Sequence, residues 1–274
     1  MKTKENVILI TGASSGIGQA IAELLAKDGN IVYGTSRKLT ETMENHTDDI
    51  KMLKLDVTDE ASVVHTLDEI IKREKRIDVL INCAGFGISG PIEAVPIEMA
   101  KKQFDVNFFG TVQMIQKTLP YMRKQKKGLI INIGSVAGYI SIPFQSMYSA
   151  SKFALESLSE TLRMELNPFN INVCLVEPGD TRTNFTQSRV KGGVEEILAF
   201  YEPACEHALA VMEKDEENGY SPYMTALTVK RILKRKNPPV RVTVGLVYKI
   251  FYVLTKIIPT KTRLLIIRKK YINI

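Results

Sequence analysis

Short apolar runs alternate along the chain with longer stretches in which apolar residues recur every three or four positions. Runs with the length and composition of buried strands lie at residues 7–11, 31–35, 52–55, 79–82, 129–133 and 171–176. Stretches with helical spacing lie at 16–27, 61–75, 104–126 and 147–166, and Pro168 follows the last of them. Strands that alternate with helices are typical of repeated βαβ units. The pattern predicts an α/β fold with a doubly wound parallel sheet.

The last third of the chain departs from this alternation. At 182–220 the strand periodicity disappears, and we interpret this segment as a mobile or helical insertion before a final strand at 240–244. Ligands bind at the carboxyl ends of parallel strands, so an insertion after the sixth predicted strand is placed to cover a substrate. Its aromatic residues Phe200, Tyr201 and Tyr220 suit an apolar ligand, although core packing explains them equally well.

Length and composition favour a single domain over residues 1–274. The chain is 45% hydrophobic and 24% charged, which suffices for a core without a disulfide or a structural metal. Cys83, Cys174 and Cys205 are far apart and odd in number, so we expect free thiols in a reducing compartment, the cytoplasm. The histidines lack metal-ligand spacing, and no metal site is expected. The first apolar run is too short for a signal peptide, and no run reaches the length of a membrane span.

The net charge of +7 is unevenly distributed along the chain. Thirteen Lys and Arg residues lie from Lys230 onward, whereas Glu217 is the last acidic residue. That leaves 24 of the 37 basic residues against 30 acidic ones, so a basic segment follows a mildly acidic body. The basic cluster at 123–127 lies at a predicted helix end, where cations favour the helix dipole. Interleaved aromatic platforms are missing from the sequence, so no nucleic-acid partner is expected.

A glycine-rich loop connects the first predicted strand to the first predicted helix. Residues 11–18 read TGASSGIG, with Gly12, Gly16 and Gly18 at its turns. Glycines allow a backbone to turn sharply and approach a pyrophosphate, and a helix N-terminus offers N–H groups to phosphate. The GxxxGxG spacing differs from the common GxGxxG, and a simple tight turn is the alternative. Because of its position between strand and helix, we interpret the loop as a dinucleotide site formed by Gly12, Ser14, Ser15, Gly16, Ile17 and Gly18.

The end of the second predicted strand indicates which nucleotide is bound. NAD sites usually place an acidic residue here to accept hydrogen bonds from the ribose 2′-hydroxyl. This chain has no acid between Asp28 and Glu41, and it has Ser36, Arg37 and Lys38 instead. A guanidinium forms charge-assisted bonds to a 2′-phosphate, and a solvated basic loop is the alternative. We favour NADP(H) as the cofactor.

Tyr148 and Lys152 are four residues apart on a predicted helix and therefore share a face. A tyrosine has an ordinary pKa of about 10, and a neighbouring ammonium favours the phenolate and lowers that pKa. The pair can then act as a general acid–base. Such a pair is common by chance, but Ser135 follows the fifth predicted strand at the same sheet edge. Its hydroxyl is placed to hold a substrate oxygen beside Tyr148.

Motifs along nearly the whole chain resemble the short-chain dehydrogenase/reductase family, with a Rossmann-type fold. They are TGASSGIG at 11–18, Asp56-Val57, NCAG at 82–85, Asn107 in FDVNFFG, Ser135, Tyr148-Ser-Ala-Ser-Lys152, and Pro178-Gly179 followed by Thr183. The resemblance implies a catalytic tetrad of Asn107, Ser135, Tyr148 and Lys152. Tyr148 would exchange the proton, Ser135 would orient the carbonyl oxygen, Lys152 would hold the nicotinamide ribose, and Asn107 would hold a water.

The same resemblance implies the other cofactor contacts. Asp56 and Val57 would contact the adenine, Thr183 would bind the carboxamide, and Pro178 and Gly179 would lie beside the cofactor. Asn82, Ala84 and Gly85 would line it. The sequence departs from the family at Cys83, where an asparagine is common, and at Gly134, where a serine is common. Neither departure removes a group that the mechanism uses.

Looser similarities concern the substrate. VEPGDTRTNF at 176–185 and VTVG at 242–245 resemble hydroxysteroid and retinol dehydrogenases, which implies a hydrophobic carbonyl or alcohol such as a steroid, a retinoid or a lipid-derived ketone. Family members usually pair through the helices at 104–126 and 147–166, so a homodimer or homotetramer is expected. Two alternatives stay open. One is a non-catalytic NADP(H) sensor or scaffold, and the other is an extended sugar-nucleotide epimerase, whose glycine spacing differs and whose chain is longer.

The basic C-terminal extension, 245–274, has two interpretations. Apolar residues at spacings of three and four predict an amphipathic helix at 245–258, ended by Pro259, and a second segment at 263–271 mixes apolar and basic residues. In the first interpretation these helices close the pocket and their cations are balanced by acids such as those at 215–217. In the second, they lie on an anionic membrane surface.

Overall fold

The computed structural model describes residues 5–39 and 49–272, in which nine strands occur. They are β1 (Val7–Ile10), β2 (Ile31–Ser36), β3 (Ile50–Lys54), β4 (Val79–Asn82), β5 (Ile88–Ser89), β6 (Gly128–Ile133), β7 (Ile171–Glu177), β8 (Val190–Lys191) and β9 (Arg241–Thr243). Seven form one parallel sheet in the order β3-β2-β1-β4-β6-β7-β9, and β5 pairs with β8 separately. The predicted parallel sheet and single domain are confirmed.

Ten α-helices connect these strands within the same described residues. They are α1 (Gly16–Lys27), α2 (Glu60–Glu74), α3 (Ile97–Phe104), α4 (Gly110–Gln125), α5 (Ser146–Glu165), α6 (Phe185–Ser188), α7 (Glu195–Glu217), α8 (Pro222–Leu233), α9 (Leu246–Ile257) and α10 (Thr260–Tyr271). Alternate residues of a strand point to opposite faces of the sheet. Ile8 and Ile10 accordingly pack under α1 and α8, whereas Val7 and Leu9 pack under α2 and α4.

The helix predicted at 104–126 is longer and less regular than its pattern indicated. It begins at Ile97, and a π-helical turn at Asp105–Phe109 separates α3 from α4. The extra residue in a π turn shifts the helix face, and such turns are frequent at functional sites. Asn107 lies in the middle of this turn. Helix α8 was not predicted although its buried residues recur at spacings of three and four, and the β5–β8 pair was not predicted because each strand has only two residues.

The predicted insertion at 182–220 is helical. Helix α7 spans 23 residues and buries Cys205, Ala208, Leu209 and Met212. Half-buried residues of the 142–144 loop and the end of α10 pack against this cluster. The insertion is thus fixed to the body at the carboxyl end of the sheet. Its other part, α6 and β8, forms the rim of the cleft there.

The basic C-terminal extension folds as two helices, α9 and α10, separated by Pro259. Neither helix contains a buried residue. In the part of the chain that the structure describes, no helix combines the length and the apolarity needed to cross a membrane.

Candidate active site

The carboxyl ends of the central strands open into a cleft of about 840 Å³. It lies where the strand order reverses, between β1 and β4, which is the usual ligand position in open parallel sheets. Most of the residues singled out in the sequence lie on its wall. They are Gly12, Ser14, Ser15, Gly16, Ile17, Gly18, Ser36, Arg37, Asp56, Val57, Ala84, Gly85, Ser135, Tyr148, Lys152, Pro178, Gly179 and Thr183.

The glycine loop forms a cradle that side chains would fill. Gly12 has a φ of +68°, and a Cβ there would lie 2.9 Å from the Cα of Ala84. At Gly18 a Cβ would lie 2.2 Å from the carbonyl oxygen of Gly12, so the first turn of α1 packs directly on the loop. The Ser15 side chain does not cap α1, which leaves first-turn N–H groups for a ligand. The cradle therefore fits the pyrophosphate of a dinucleotide.

Basic and acidic side chains meet at the adenosine end of the cleft. Ser36 ends β2, and its Oγ accepts a hydrogen bond from the backbone N–H of Lys38 at 3.3 Å. Burial tends to raise the pKa of Asp56, but hydrogen bonds from Thr58 and the charge of Arg37 lower it overall. Asp56 therefore stays ionised and attracts the Arg37 guanidinium toward the wall. Arg37, Ser36 and Asp56 could hold the ribose and adenine of the cofactor.

Ser135, Tyr148 and Lys152 converge at the other end of the cleft. Ser135 follows β6 and hydrogen-bonds to Tyr148, while Lys152 lies one turn beyond Tyr148 on α5. The Lys152 Nζ donates to the carbonyl oxygen of Ile133 at 2.9 Å and lies 5.8 Å from the Tyr148 ring centroid. The Phe185 ring packs beside the Tyr148 ring at 5.5 Å between centroids. The phenol is thus held between a hydroxyl and an apolar wall.

The expectation of a lowered tyrosine pKa is wrong for the protein alone. Burial raises the pKa of Tyr148 to about 12, the Ser135 hydrogen bond opposes this, and the Glu216 carboxylate raises the pKa further. Burial also lowers the pKa of Lys152 to about 8. The physical reason is desolvation, which disfavours the charged form of each group. At neutral pH the phenol is therefore protonated, and the lysine is mostly charged.

Asn107 lies behind the cleft wall rather than on it. Its Nδ2 donates to the carbonyl oxygen of Phe86 at 2.9 Å and to Ser151 Oγ at 3.3 Å, and its Oδ1 accepts from the Phe86 N–H at 3.0 Å. The side chain thus ties the π turn to the loop after β4 and to α5. The structure places Asn107 as a brace between three elements, and the proposed water link to Lys152 stays a prediction.

Asn82 also lies behind the wall, although the sequence suggested that it lines the cofactor. It ends β4, is buried, and donates from Nδ2 to Asn132 Oδ1 at 2.9 Å. Sequence reasoning overlooked Thr11, whose Oγ1 accepts from the N–H groups of Cys83 and Ala84 at 3.0 and 3.1 Å. These contacts fix the loop after β4 against the glycine loop.

Sequence reasoning also missed the charged residues that the insertion brings to the cleft. Asp180 and Glu216 line the cleft near Tyr148. Glu216 forms an ion pair with the buried Arg189 and accepts a hydrogen bond from Thr186. Burial raises the pKa values of Asp180 and Glu216. The charge pattern gave no signal for this cluster, because its members are remote in sequence from the tyrosine.

The aromatic residues expected to line the pocket lie elsewhere. Phe200 is 87% exposed, and the Tyr201 hydroxyl donates to Glu93 at 2.7 Å. Tyr220 packs its ring against Tyr248. Phe185, within the segment predicted to cover the substrate, is the aromatic residue that packs against Tyr148.

Comparison with known proteins gives a consistent result. A sequence model described as short chain dehydrogenase matches residues 6–192. The chain is 44% identical to the 3-ketodihydrosphingosine reductase of Bacteroides thetaiotaomicron over 250 residues, 91% of each protein. It is 39% identical to human 17-beta-hydroxysteroid dehydrogenase type 1 over 204 residues, 70% of this chain and 61% of that protein. A short-chain dehydrogenase structure from Streptomyces avermitilis superimposes with a TM-score of 0.78 at 32% identity, over 93% of this chain and 97% of that one. The chain therefore belongs to the short-chain dehydrogenase family of oxidoreductases.

Proposed function

We propose that the protein is an NADP(H)-dependent carbonyl reductase in which Tyr148 donates the proton. The observation that carries this proposal is the contact of Ser135 with Tyr148 in the cleft, with Lys152 one helical turn away. When bound, NADPH would supply the hydride. The Ser135 hydroxyl holds the substrate's carbonyl oxygen, and the Tyr148 hydroxyl delivers its proton to that oxygen as negative charge develops. Lys152 binds the nicotinamide ribose and lies close enough to stabilise the phenolate that remains.

Tyr148 is protonated at neutral pH, which is the state that the reductive direction requires. A phenol whose pKa is about 12 carries its proton at neutral pH and is ready to donate it. Oxidation of an alcohol would need the phenolate, which burial disfavours in the protein alone. The same site would have no use in a sensor or scaffold, because nucleotide binding does not require a serine and a tyrosine in hydrogen-bond contact.

We further propose a long-chain amino ketone of the 3-ketosphingoid type as substrate. The relative from Bacteroides thetaiotaomicron is named for reduction of such a ketone. That substrate carries an ammonium on the carbon beside its carbonyl and a long hydrocarbon chain. The wall around Tyr148 offers both kinds of surface, with apolar side chains of Ile88, Ile142 and Phe185 and the carboxylate of Glu216.

The charges of the insertion favour a cationic group in the substrate. Three carboxylates (Asp180, Asp215 and Glu216) face two cations (Arg189 and Lys270) in this cluster. Within this cluster the carboxylates outnumber the cations by one, and the Lys152 ammonium lies separately, one turn beyond Tyr148 on α5. Because burial raises the pKa values of Asp180 and Glu216, the cluster is poorly solvated without a further cation. An ammonium next to the reacting carbonyl would complete the balance.

The reaction is tested by following NADPH oxidation with 3-ketodihydrosphingosine, a ketosteroid and retinal. We expect the amino ketone to give the highest kcat/KM. The long-chain 3-ketone without the amino group is the matched control for the ammonium. NADPH binding without turnover of any ketone or aldehyde in this set would favour the sensor.

In the same assay, Glu216→Gln is expected to raise KM for the amino ketone about tenfold, because a charge-assisted hydrogen bond is lost. KM for the ketone without the amine should change less than twofold, by the same reasoning. Glu213→Gln, one turn earlier on α7, is the control for the loss of one carboxylate. An equal increase in KM for both ketones would show that Glu216 does not recognise the ammonium.

We also propose a homodimer or homotetramer in the cytoplasm. Phe109, at the end of the π turn, is 55% exposed, and Met164 on α5 is 70% exposed. Large apolar side chains on these two helices suit a subunit interface. Light scattering at micromolar concentration is expected to give a multiple of 30.7 kDa. A strictly monomeric mass would rule the oligomer out.

A further inference from the structure

Helix α9 is attached to the body by its polar and aromatic side. The Tyr248 hydroxyl donates to Asp180 Oδ2 at 2.6 Å, and the Tyr252 ring packs edge-on against Tyr139 with centroids 5.2 Å apart. Thr255, one turn later, is half-buried on the same side. These residues recur at spacings of four and three, so they form one face of the helix.

The opposite face of α9 is apolar and points away from the body. Leu246 is 71% exposed and Ile257 is 72% exposed. At 100° per residue the exposed apolar side chains span an arc of about 160°. They are Leu246, Val247, Ile250, Phe251, Val253, Leu254 and Ile257. A surface helix that is surrounded by water normally has the reverse orientation, with its apolar face packed against the core.

Helix α10 adds further exposed apolar residues and cations to the C-terminal extension. Leu264, Leu265 and Ile266 are exposed. Residues 246–271 contain seven Lys and Arg residues and no Asp or Glu. Lys270 forms an ion pair with Asp215 at 2.6 Å. The charge of this one cation is therefore neutralised by an acidic residue of the body, as the first interpretation expected. Five other cations are exposed: Lys249, Lys256, Lys261, Arg268 and Lys269.

We propose that the exposed apolar residues of α9 and α10 and these five cations form a docking surface for an anionic phospholipid bilayer. A bilayer offers an apolar interior beneath negatively charged headgroups, which matches the exposed apolar residues and the exposed cations of the two helices. A second copy of the chain fits less well, because symmetric pairing would bring two sets of unneutralised cations together. The bilayer is therefore the occupant that the charges favour.

A groove beside helix α10 shares one lining residue with the docking surface and one with the catalytic cleft. The groove has a volume of about 540 Å³ and lies between α10 and the start of α5. Its lining includes Pro143, Phe153, Leu264 and Ile267. Leu264 also belongs to the docking surface, and Ile142 lines both the groove and the cleft. In this proposal a hydrocarbon chain would lie along the groove and pass Ile142 toward Tyr148. That step rests on the proposed function, whereas docking itself does not.

The test is flotation of the full-length protein with vesicles, without substrate or NADPH. One set of vesicles contains phosphatidylcholine alone, and the other contains phosphatidylcholine and phosphatidylglycerol in equal amounts. We expect the protein to float with the anionic vesicles at low salt and to be released at high salt, because salt screens the cations. Failure to float with anionic vesicles at low salt would overturn the proposal, and so would equal flotation with both sets.

Variants separate the two parts of the surface. Each cation near an anionic surface contributes a factor of about five to binding, so Lys261→Glu with Lys269→Glu should weaken it at least about 25-fold. Lys72→Glu with Lys124→Glu on α2 and α4 gives the same change in net charge and should bind like the original protein. Leu246→Ser with Ile257→Ser should lose flotation although all cations remain. Equal binding by the two charge-reversal pairs would overturn the proposal.

The same variants distinguish docking from catalysis. The Lys261 and Lys269 pair should keep its activity on a water-soluble ketone, and circular dichroism should match the original protein. Loss of flotation with this activity intact supports the docking surface. A change in molecular mass on charge reversal, without flotation of the original protein, would assign the surface to a second copy instead. Inactivity on every ketone would contradict the proposed function without affecting the flotation result.

Discussion

Replacement of Tyr148 by phenylalanine is expected to lower kcat about a thousandfold, in the range that a positioned general acid contributes. The substitution removes only the hydroxyl, which hydrogen-bonds to Ser135 in the cleft. The ring remains against Phe185, so the wall keeps its shape. The glycine cradle and Arg37 are untouched, and the affinity for NADPH should therefore change little. The measurement is kcat for the preferred ketone, together with the NADPH dissociation constant from fluorescence.

Tyr220→Phe is the matched control for this prediction. Tyr220 lies at the end of the insertion and packs on Tyr248 instead of lining the cleft. Its substitution should leave kcat within about twofold of the original, because only a hydroxyl outside the cleft is removed. Near-original kcat in Tyr148→Phe would show that the proton comes from another group. Loss of NADPH binding in that variant would show that the hydroxyl holds the cofactor instead.

The sheet could be predicted from sequence because its central strands are buried on both faces. Such strands appear as short continuous apolar runs, as at Ile8–Ile10, and helices with one apolar face separate them. The predicted ends of these strands agree with the observed ends to within a few residues. Helix α8 was missed, although Ser221 caps it and Pro222 occupies its first turn, which is a recognisable start signal.

The candidate site could be predicted only in part. Tyr148 and Lys152 share a helix face, and Ser135 follows a strand, so their meeting at the sheet edge follows from topology. The π turn at Asn107 depends on tertiary contacts with Phe86 and Ser151, which no local pattern encodes. These contacts hold Asn107 away from the cleft surface.

The orientation of the C-terminal helices could not be predicted from the sequence either. Spacing predicted the amphipathic character of α9 but not which face meets the body. The face that meets the body is the one that carries Tyr248 and Tyr252, whose partners Asp180 and Tyr139 are remote in the chain. The Arg189–Glu216 pair is similar, because the approach of α7 to Tyr148 depends on the packing of the whole insertion. Long-range packing therefore determines which face of α9 meets the body and how α7 approaches Tyr148, and local periodicity does not encode either.

The preference for NADPH over NADH is expected to depend on Arg37. This side chain lies on the cleft wall beyond the end of β2, where the carboxylate typical of NAD sites is missing. Asp56, on the same wall, accepts its hydrogen bonds from Thr58 at 2.9 and 2.7 Å and attracts Arg37 only through its charge. The guanidinium therefore remains available to a 2′-phosphate, which NADH lacks.

Arg37→Ala should lower kcat/KM for NADPH about 10- to 100-fold, because one or two charge-assisted hydrogen bonds are lost. The value for NADH should stay within about twofold, since no contact to a 2′-hydroxyl is proposed for this side chain. Arg37→Lys keeps the charge without the planar fork and should give an intermediate preference. The measurement is kcat/KM for both cofactors at a fixed ketone concentration and constant salt. Equal values for NADPH and NADH in the original protein would show that Arg37 does not select the cofactor, and equal losses with both cofactors in Arg37→Ala would assign it a structural role.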